Sequence, residues 1–335
     1  MKFKRAAILA VCCCSAAGPT RADTVSDFYR GNTIRYYVST SPGGGYDHVS
    51  RLFVKYFPNY MPGKPNILVM HMPGAAGVTL ANWTANIAPK DGLMLGMANL
   101  TVPMNQVIAP DQVRYDATKL NWIGNLEEAT LSLFTWHTSA TKTMQQARER
   151  ETVMGVSSKT SVLYQMLALS NRLLNTKFKI ISGYEGNRVI SIERGEIEGS
   201  ASTLQNYAGI APHWDLHKDI TILTVNAEKR VPRFPDAPTM MELTDNPVHK
   251  KMLEFMMLQS ATARAIFAPP GVPPDRVEAL RRAFDQTARD PGFLADMARS
   301  KIEVEPSTGE ETQAAVGRLI GTSPEVAAMV LEAVK

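Results

Sequence analysis

Apolar and polar positions follow two rhythms in this chain. Ile34-Arg35-Tyr36-Tyr37-Val38-Ser39 has the β-branched and aromatic content of a strand, and Val49, Leu52, Phe53 and Tyr56 then recur at the spacing of one helix face. Small residues from Ser41 to Gly45 separate the two, and Asp47 reads as the N-cap of the helix. The order repeats at once, with Ile67-Leu68-Val69-Met70, the loop Pro73-Gly74-Ala75-Ala76-Gly77, a helix over 78–87 and a third strand over 93–97. Further on, a strand over 152–156 leads through Ser157-Ser158-Lys159-Thr160-Ser161 into a helix bearing Leu163, Met166, Leu167 and Leu174. Phe178-Lys179-Ile180-Ile181, the loop Ser182-Gly183-Tyr184-Glu185-Gly186 and a short helix over 189–194 complete the pattern.

Strands alternating with helices predict mostly parallel sheets, whose ligand sites lie beyond the carboxyl ends of the strands. The expected architecture is α/β, in two lobes of like element order that share no sequence repeat. The first lobe is assigned to 23–125, the second to 126–225, and 226–335 is read as a return segment with C-terminal helices packing on the lobes. Residues 120–125 read as a crossing strand and 203–212 as the way back. Pro269-Pro270-Gly271-Val272-Pro273-Pro274-Asp275 is a rigid approach to a helix with Val277, Leu280 and Phe284 on one face, and a last helix follows Pro324.

Residues 1–22 have a different character. A basic start, Met1-Lys2-Phe3-Lys4-Arg5, precedes an apolar, small-residue run, and Thr20-Arg21-Ala22 suits cleavage before Asp23. This is the pattern of a secretory signal peptide, which predicts a periplasmic mature protein. The competing reading is a lipoprotein tether at Cys12, in which Val11 is bulky where a small residue is wanted. Cys12, Cys13 and Cys14 are the only cysteines, so a chain starting at Asp23 has no thiol chemistry and no disulfide.

At 335 residues and 44% hydrophobic content the chain can build a full core. The formal charge is +4, yet Lys2, Lys4, Arg5 and Arg21 lie in the leader, and the remainder balances 32 basic against 32 acidic residues. No nucleic-acid partner has an electrostatic footprint here. The six histidines show no metal-ligand spacing, no nucleotide or other cofactor motif is present, and Ser139-Ala140-Thr141-Lys142 lacks the companion motifs of a serine hydrolase.

The candidate chemistry lies in the loops. Gly43, Gly44 and Gly45 let backbone N–H groups turn toward one point at a helix start, which suits an anion. The loop from Pro73 to Gly77 has the same properties. Ligand-binding candidates are Ser41, Gly43, Gly44, Gly45, Tyr46, Asp47, Met72, Gly74, Ala75, Ala76 and Asn99 in the first lobe, with Ser157, Ser158, Lys159, Thr160, Gly183, Tyr184 and Ser202 in the second. Whether the Lys159 ammonium faces the cleft or solvent stays open.

Ser41-Pro42-Gly43-Gly44-Gly45-Tyr46-Asp47, Met72-Pro73-Gly74-Ala75-Ala76-Gly77, Ala88-Pro89-Lys90-Asp91-Gly92, Trp122-Ile123-Gly124, Gly195-Glu196-Ile197-Glu198-Gly199, Phe234-Pro235-Asp236-Ala237-Pro238-Thr239 and Ala268-Pro269-Pro270-Gly271-Val272-Pro273 occur in one order from about Ile34 onward. In that order and spacing the chain resembles the substrate-binding proteins of tripartite tricarboxylate transporters. The resemblance implies a two-lobe periplasmic binding protein fold, type II-like, with a hinge and an interlobe cleft. It implies a small organic acid held by backbone donors of both first-lobe loops, a monomer, and delivery to integral-membrane permease subunits. Ser200-Ala201-Ser202-Thr203 stands where many relatives carry an acidic residue, which disfavours ligands with an ammonium group. Two other classes remain: an exported hydrolase of a small ester, and a ligand-sensing partner of a membrane sensor.

Overall fold

The computed structural model describes residues 25–333 apart from 98, 128, 158, 160, 185–186, 208–210 and 261. The leader, its cleavage site and all three cysteines therefore lie outside the described residues, as do Ser158 and Thr160. Two mixed sheets form two lobes. The first has the order β11-β4-β10-β3-β1-β2, with β1 Thr33–Val38, β2 Asn66–His71, β3 Met94–Met97, β4 Asn121–Asn125, β10 Ala265–Ala268 and β11 Ser307–Thr308. The second has the order β7-β6-β8-β5-β9, with β5 Leu131–Trp136, β6 Thr152–Val156, β7 Phe178–Ser182, β8 Gly199–Thr203 and β9 Ile220–Asn226.

In the first lobe β1 pairs in parallel with both β2 and β3. The crossover helices α2 Gly45–Tyr56 and α3 Val78–Asn86 fall on opposite faces, so both faces must be apolar. Tyr36, Val38, Leu95 and Ile266 pack against Phe53, Phe284 and Phe293 on one side, and Tyr37, Met94, Trp122 and Phe267 pack against Val78, Leu80 and Val316 on the other. The second sheet is covered in the same way. Leu131, Leu133, Met154 and Val156 meet Met166, Leu253, Met256 and Val330, and Phe134, Trp136 and Val225 meet Ile192, Tyr207 and Trp214. Gly199 opens β8 because a Cβ there would fall 2.1 Å from the Phe134 carbonyl oxygen of the neighbouring strand.

Three expectations about the path of the chain are corrected. Residues 121–125 form β4 within the first sheet, and the crossing to the second lobe is made by 126–130. Residues 203–212 do not lead back; Leu204, Tyr207 and Ala211 are buried in the second lobe, and the return follows the helix Pro247–Ser260 into β10. The C-terminal part adds more than helices, because β10 fills the gap between β3 and β4. A short helix cannot substitute there: the backbone groups of β3 and β4 need a strand between them.

Directions of pairing fix where the cleft lies. β1, β2, β3 and β4 all end at one edge of the first sheet, and β10, antiparallel to β3 and β4, starts there. β6, β7, β8 and β9 all end at one edge of the second sheet, where β5 begins. The two crossing segments join these edges and are hydrogen-bonded to each other, Leu126 N–H to Arg264 C=O at 3.3 Å and Ala129 N–H to Ser260 C=O at 3.3 Å.

Candidate functional site

The first-lobe edge carries three loops, each ending in a helix start: 39–44 before α2, 72–77 before α3, and 99–100 before α4 Thr101–Ile108. A helix start leaves its first N–H groups without intrahelical acceptors and adds a partial positive charge. In the first loop Gly44, not Asp47, is the N-cap, with φ −83° and ψ 175°. Asp47 sits one turn in, and its carboxylate accepts the Gly43 N–H at 2.9 Å. It also meets Arg51 at 3.0 Å and His71 Nε2 at 2.9 Å. Gly43 has φ 84°, and its N–H is spent inside the loop, so the donors aimed outward are those of Gly45, Tyr46 and the Asp47 backbone.

The second loop has an unusual backbone. Gly74, Ala75, Ala76 and Gly77 all have positive φ, at 141°, 44°, 50° and 92°. For the two alanines this costs on the order of 1–3 kcal/mol each. Successive residues of this kind turn their N–H groups into a concavity that suits an anion. The strain is held by Gly77 N–H to Gly74 C=O at 2.9 Å and by Thr101 Oγ1, which donates to Ala76 C=O at 3.0 Å. Asn99 Oδ1 in turn caps the third loop by accepting the Thr101 N–H at 3.2 Å. Met72 is half-buried and donates its N–H to Val38 C=O at 2.9 Å, which ties the first two loops together.

The Asp47 carboxyl has a clear electrostatic consequence. Burial pushes its pKa up, but the Gly43 N–H, the Arg51 guanidinium and His71 together outweigh this and hold it at about 2. That is below the usual carboxylate value near 3.9 in an unfolded chain. The group therefore stabilises the fold fully above about pH 4, and this contribution is lost as pH falls from 4 toward 2. Asp47→Asn is expected to be less stable than the parent at pH 7, with the gap narrowing between pH 4 and 2. Urea unfolding at stepped pH measures it, and a constant gap would show that Asp47 is not ionised in the loop.

Across the cleft, Gly183 N–H donates to Ser157 C=O at 2.9 Å and Tyr184 N–H to Val156 C=O at 3.0 Å, so the loops after β6 and β7 form one unit. Gly183 has φ 113°, and Tyr184 packs its ring in the second-lobe core. Ser161, the N-cap of α6 Val162–Leu174, accepts the Tyr164 N–H at 3.2 Å. Lys159 is exposed. Ser202 is 1% exposed in β8, and its hydroxyl has no partner among the described residues.

Several groups at these edges escaped the sequence reading. Ser39 and Thr40, at the end of β1, have buried hydroxyls without partners among the described residues, as do both amide atoms of Asn226 at the end of β9 and Gln205 Oε1. Buried polar atoms left unpaired are costly, and their clustering where the sheet edges meet marks a place that a polar ligand or water completes. A cavity of about 250 Å³ lies between the lobes, lined by Tyr46 and Leu100 on one side, Thr203 and Gln205 on the other, and Glu127 and Arg264 of the crossing segments. Arg264 pairs with Glu127, donates to Gly45 C=O at 3.1 Å and lies 5.3 Å from the Tyr46 ring centre, while Tyr46 Oη donates to Ala263 C=O at 2.7 Å. The hinge is thereby tied to the first anion loop. A Glu-Arg pair of this kind has no local spacing signature, since its members lie 137 residues apart.

The serine of the Ser139-Ala140-Thr141-Lys142 match is engaged within the fold. Ser139 is 7% exposed, and its hydroxyl donates to Glu198 at 2.7 Å, a carboxylate already held by Arg150. Among the described residues no three His, Cys, Asp or Glu side chains are grouped to hold a metal ion.

Known proteins share this fold. The chain is 26% identical over 298 residues to the UPF0065 protein in gbd 5'region of Cupriavidus necator, covering 87% of this chain and 84% of that protein. Its fold is similar to that of a ligand-free TctC solute binding protein from Polaromonas, with a TM-score of 0.71 at 18% identity over 90% of this chain and 99% of that one. It is also similar to MatC from Rhodopseudomonas palustris, solved with bound malate, with a TM-score of 0.56 at 18% identity over 91% and 99% of the two chains. The family model described as tripartite tricarboxylate transporter family receptor matches residues 63–323, and the chain belongs to that family of solute-binding receptors.

Proposed function

We propose that this receptor captures a small organic carboxylate between its lobes, closes on it and delivers it to the membrane permease of a tripartite tricarboxylate-type transporter. The observation that carries the reading is the convergence of three helix starts, one of them behind four consecutive residues of positive φ, on the first-lobe cleft edge. Such an arrangement neutralises one carboxylate with N–H groups alone. MatC, with its bound malate, supports the ligand class. Residues 1–22 are the export signal in this reading, the mature chain starts near Asp23 and acts in the periplasm as a monomer, and the lobes follow the assignment 23–125, 126–225 and 226–335, amended by the strands β10 and β11.

The test is a thermal-shift panel of mono-, di- and tricarboxylates, with mass spectrometry of any ligand carried through purification. Stabilisation by a carboxylate supports the reading, and the absence of any shift across the panel rejects it. Closure is the second expected outcome, because two hydrogen-bonded crossing segments allow a hinge. Small-angle scattering is expected to show a smaller radius of gyration at saturating ligand, and an unchanged value would exclude lobe closure.

A further inference from the structure

We propose that Arg188 is the specificity-determining residue of the second lobe, anchoring a second anionic group of the ligand so that the cleft selects an organic diacid over the matching monoacid. This rests on the receptor reading above and names its ligand class.

Arg188 opens α7 Arg188–Glu193, directly after the loop that leaves β7 at the cleft edge of the second sheet. It is partly buried, and no carboxylate or carbonyl among the described residues bonds its guanidinium. Arg150, Arg230 and Arg233 of the same lobe behave differently, and each holds a carboxylate, on Glu198, Glu242 and Glu303. Burial pulls the Arg188 pKa down, and the opposing influence is the Tyr207 hydroxyl, a neutral group. A desolvated cation without a counter-ion is costly, and proteins ordinarily pair it.

The surroundings supply further ligand groups. Tyr207 is fully buried, and its hydroxyl lies 3.0 Å from Ser132 Oγ. Ser132 Oγ donates to Ser202 C=O at 3.0 Å, so the bond between the two hydroxyls takes its proton from Tyr207. Tyr207 is also the group whose electrostatic influence reaches Arg188, and the Ser202 hydroxyl, 1% exposed and without a partner among the described residues, is an unused donor near the end of β8. In this assignment the planar fork of Arg188 takes a carboxylate entering from the cleft through two parallel hydrogen bonds, and the Ser202 hydroxyl of β8 is a further donor. Lys159, the cation that the sequence singles out, is exposed and solvated, and so discriminates less.

Calorimetric titration of the full mature chain with succinate against butyrate, and adipate against hexanoate, tests the assignment. The parent is expected to bind the better-fitting diacid at least tenfold tighter than its monoacid. Arg188→Gln is expected to lose 10- to 100-fold on the diacid and less than twofold on the monoacid, Arg188→Lys to lose less, and Lys159→Ala to leave both within twofold. Equal losses on both ligands, or none, would overturn the role of Arg188, as would a parent that does not discriminate. Should Arg188→Gln fail to fold, Arg188→Lys decides: an unchanged diacid preference combined with loss of that preference in Lys159→Ala transfers the role to Lys159 and overturns the proposal. If no carboxylate stabilises the parent, the receptor reading falls as well; if carboxylates bind but Arg188→Gln does not discriminate, only this assignment falls.

Discussion

Gly44→Val is expected to lower carboxylate affinity at least 100-fold while leaving the melting temperature within a degree or two of the parent. Gly44 has φ −83° and ψ 175°, which any residue adopts, and a Cβ there meets nothing closer than the Ser41 carbonyl oxygen at 3.9 Å. The fold therefore accepts the side chain. The ligand does not, because the branched carbons stand in front of the N–H groups of Gly45 and Tyr46. Losing two charge-assisted hydrogen bonds at about 1.5–3 kcal/mol each accounts for the factor. Gly74→Ala makes the useful contrast: its φ of 141° and a Cβ 2.5 Å from Thr79 Oγ1 predict loss of stability together with loss of binding. Normal carboxylate binding by a well-folded valine variant, measured by calorimetry, would move the anion away from this loop.

Glu127→Ala is expected to have the largest effect on stability among single changes near the cleft, about 3 kcal/mol in chemical unfolding. Arg264 and Glu127 have side chains only 18% and 11% exposed, so truncating the acid strands a guanidinium in a site made for a pair. Part of the charge remains served by Gly45 C=O and the Tyr46 ring, which keeps the loss below that of a fully buried orphan. The double variant Glu127→Leu with Arg264→Met is expected to recover most of the stability, since apolar replacement of a buried pair is often close to neutral. Its carboxylate affinity is nevertheless expected to fall, because the link from hinge to first loop is gone. A double variant as unstable as Glu127→Ala would show that the pair contributes through packing rather than charge.

Periodicity located β1, β2, β3, β6, β7 and the helices that directly follow β1, β2, β6 and β7, because each is a local unit: an apolar run of strand length, small residues at the turn, an apolar helix face. The glycine-rich loops were legible for the same reason, since left-handed φ values and close approach demand particular residue types at adjacent positions. β8 was not legible. Gly-Ser-Ala-Ser-Thr has no strand signature, and it is a strand only because its neighbours β5 and β6 offer backbone partners on both sides and leave room for nothing larger at Gly199. β10 was hidden in the same way, four residues whose place between β3 and β4 is set by strands far away in sequence.

The division within the site is similar. The glycine-rich loops proposed to face an anion were written in local residue order, and so was the proposed export signal. The partnership of Glu127 with Arg264, the reach of Asp47 back to Gly43 and across to His71, and the lack of a carboxylate partner for Arg188 among the described residues all depend on which edges the fold brings together. Charge pairing acts through space over a few ångströms, and no spacing along the chain encodes it. The sequence therefore determined the local strand–loop–helix units, the glycine-rich loops and the family to which the receptor belongs, while the tertiary structure alone decided that Glu127 and Arg264 pair at the crossing segments and that Arg188 has no carboxylate partner among the described residues.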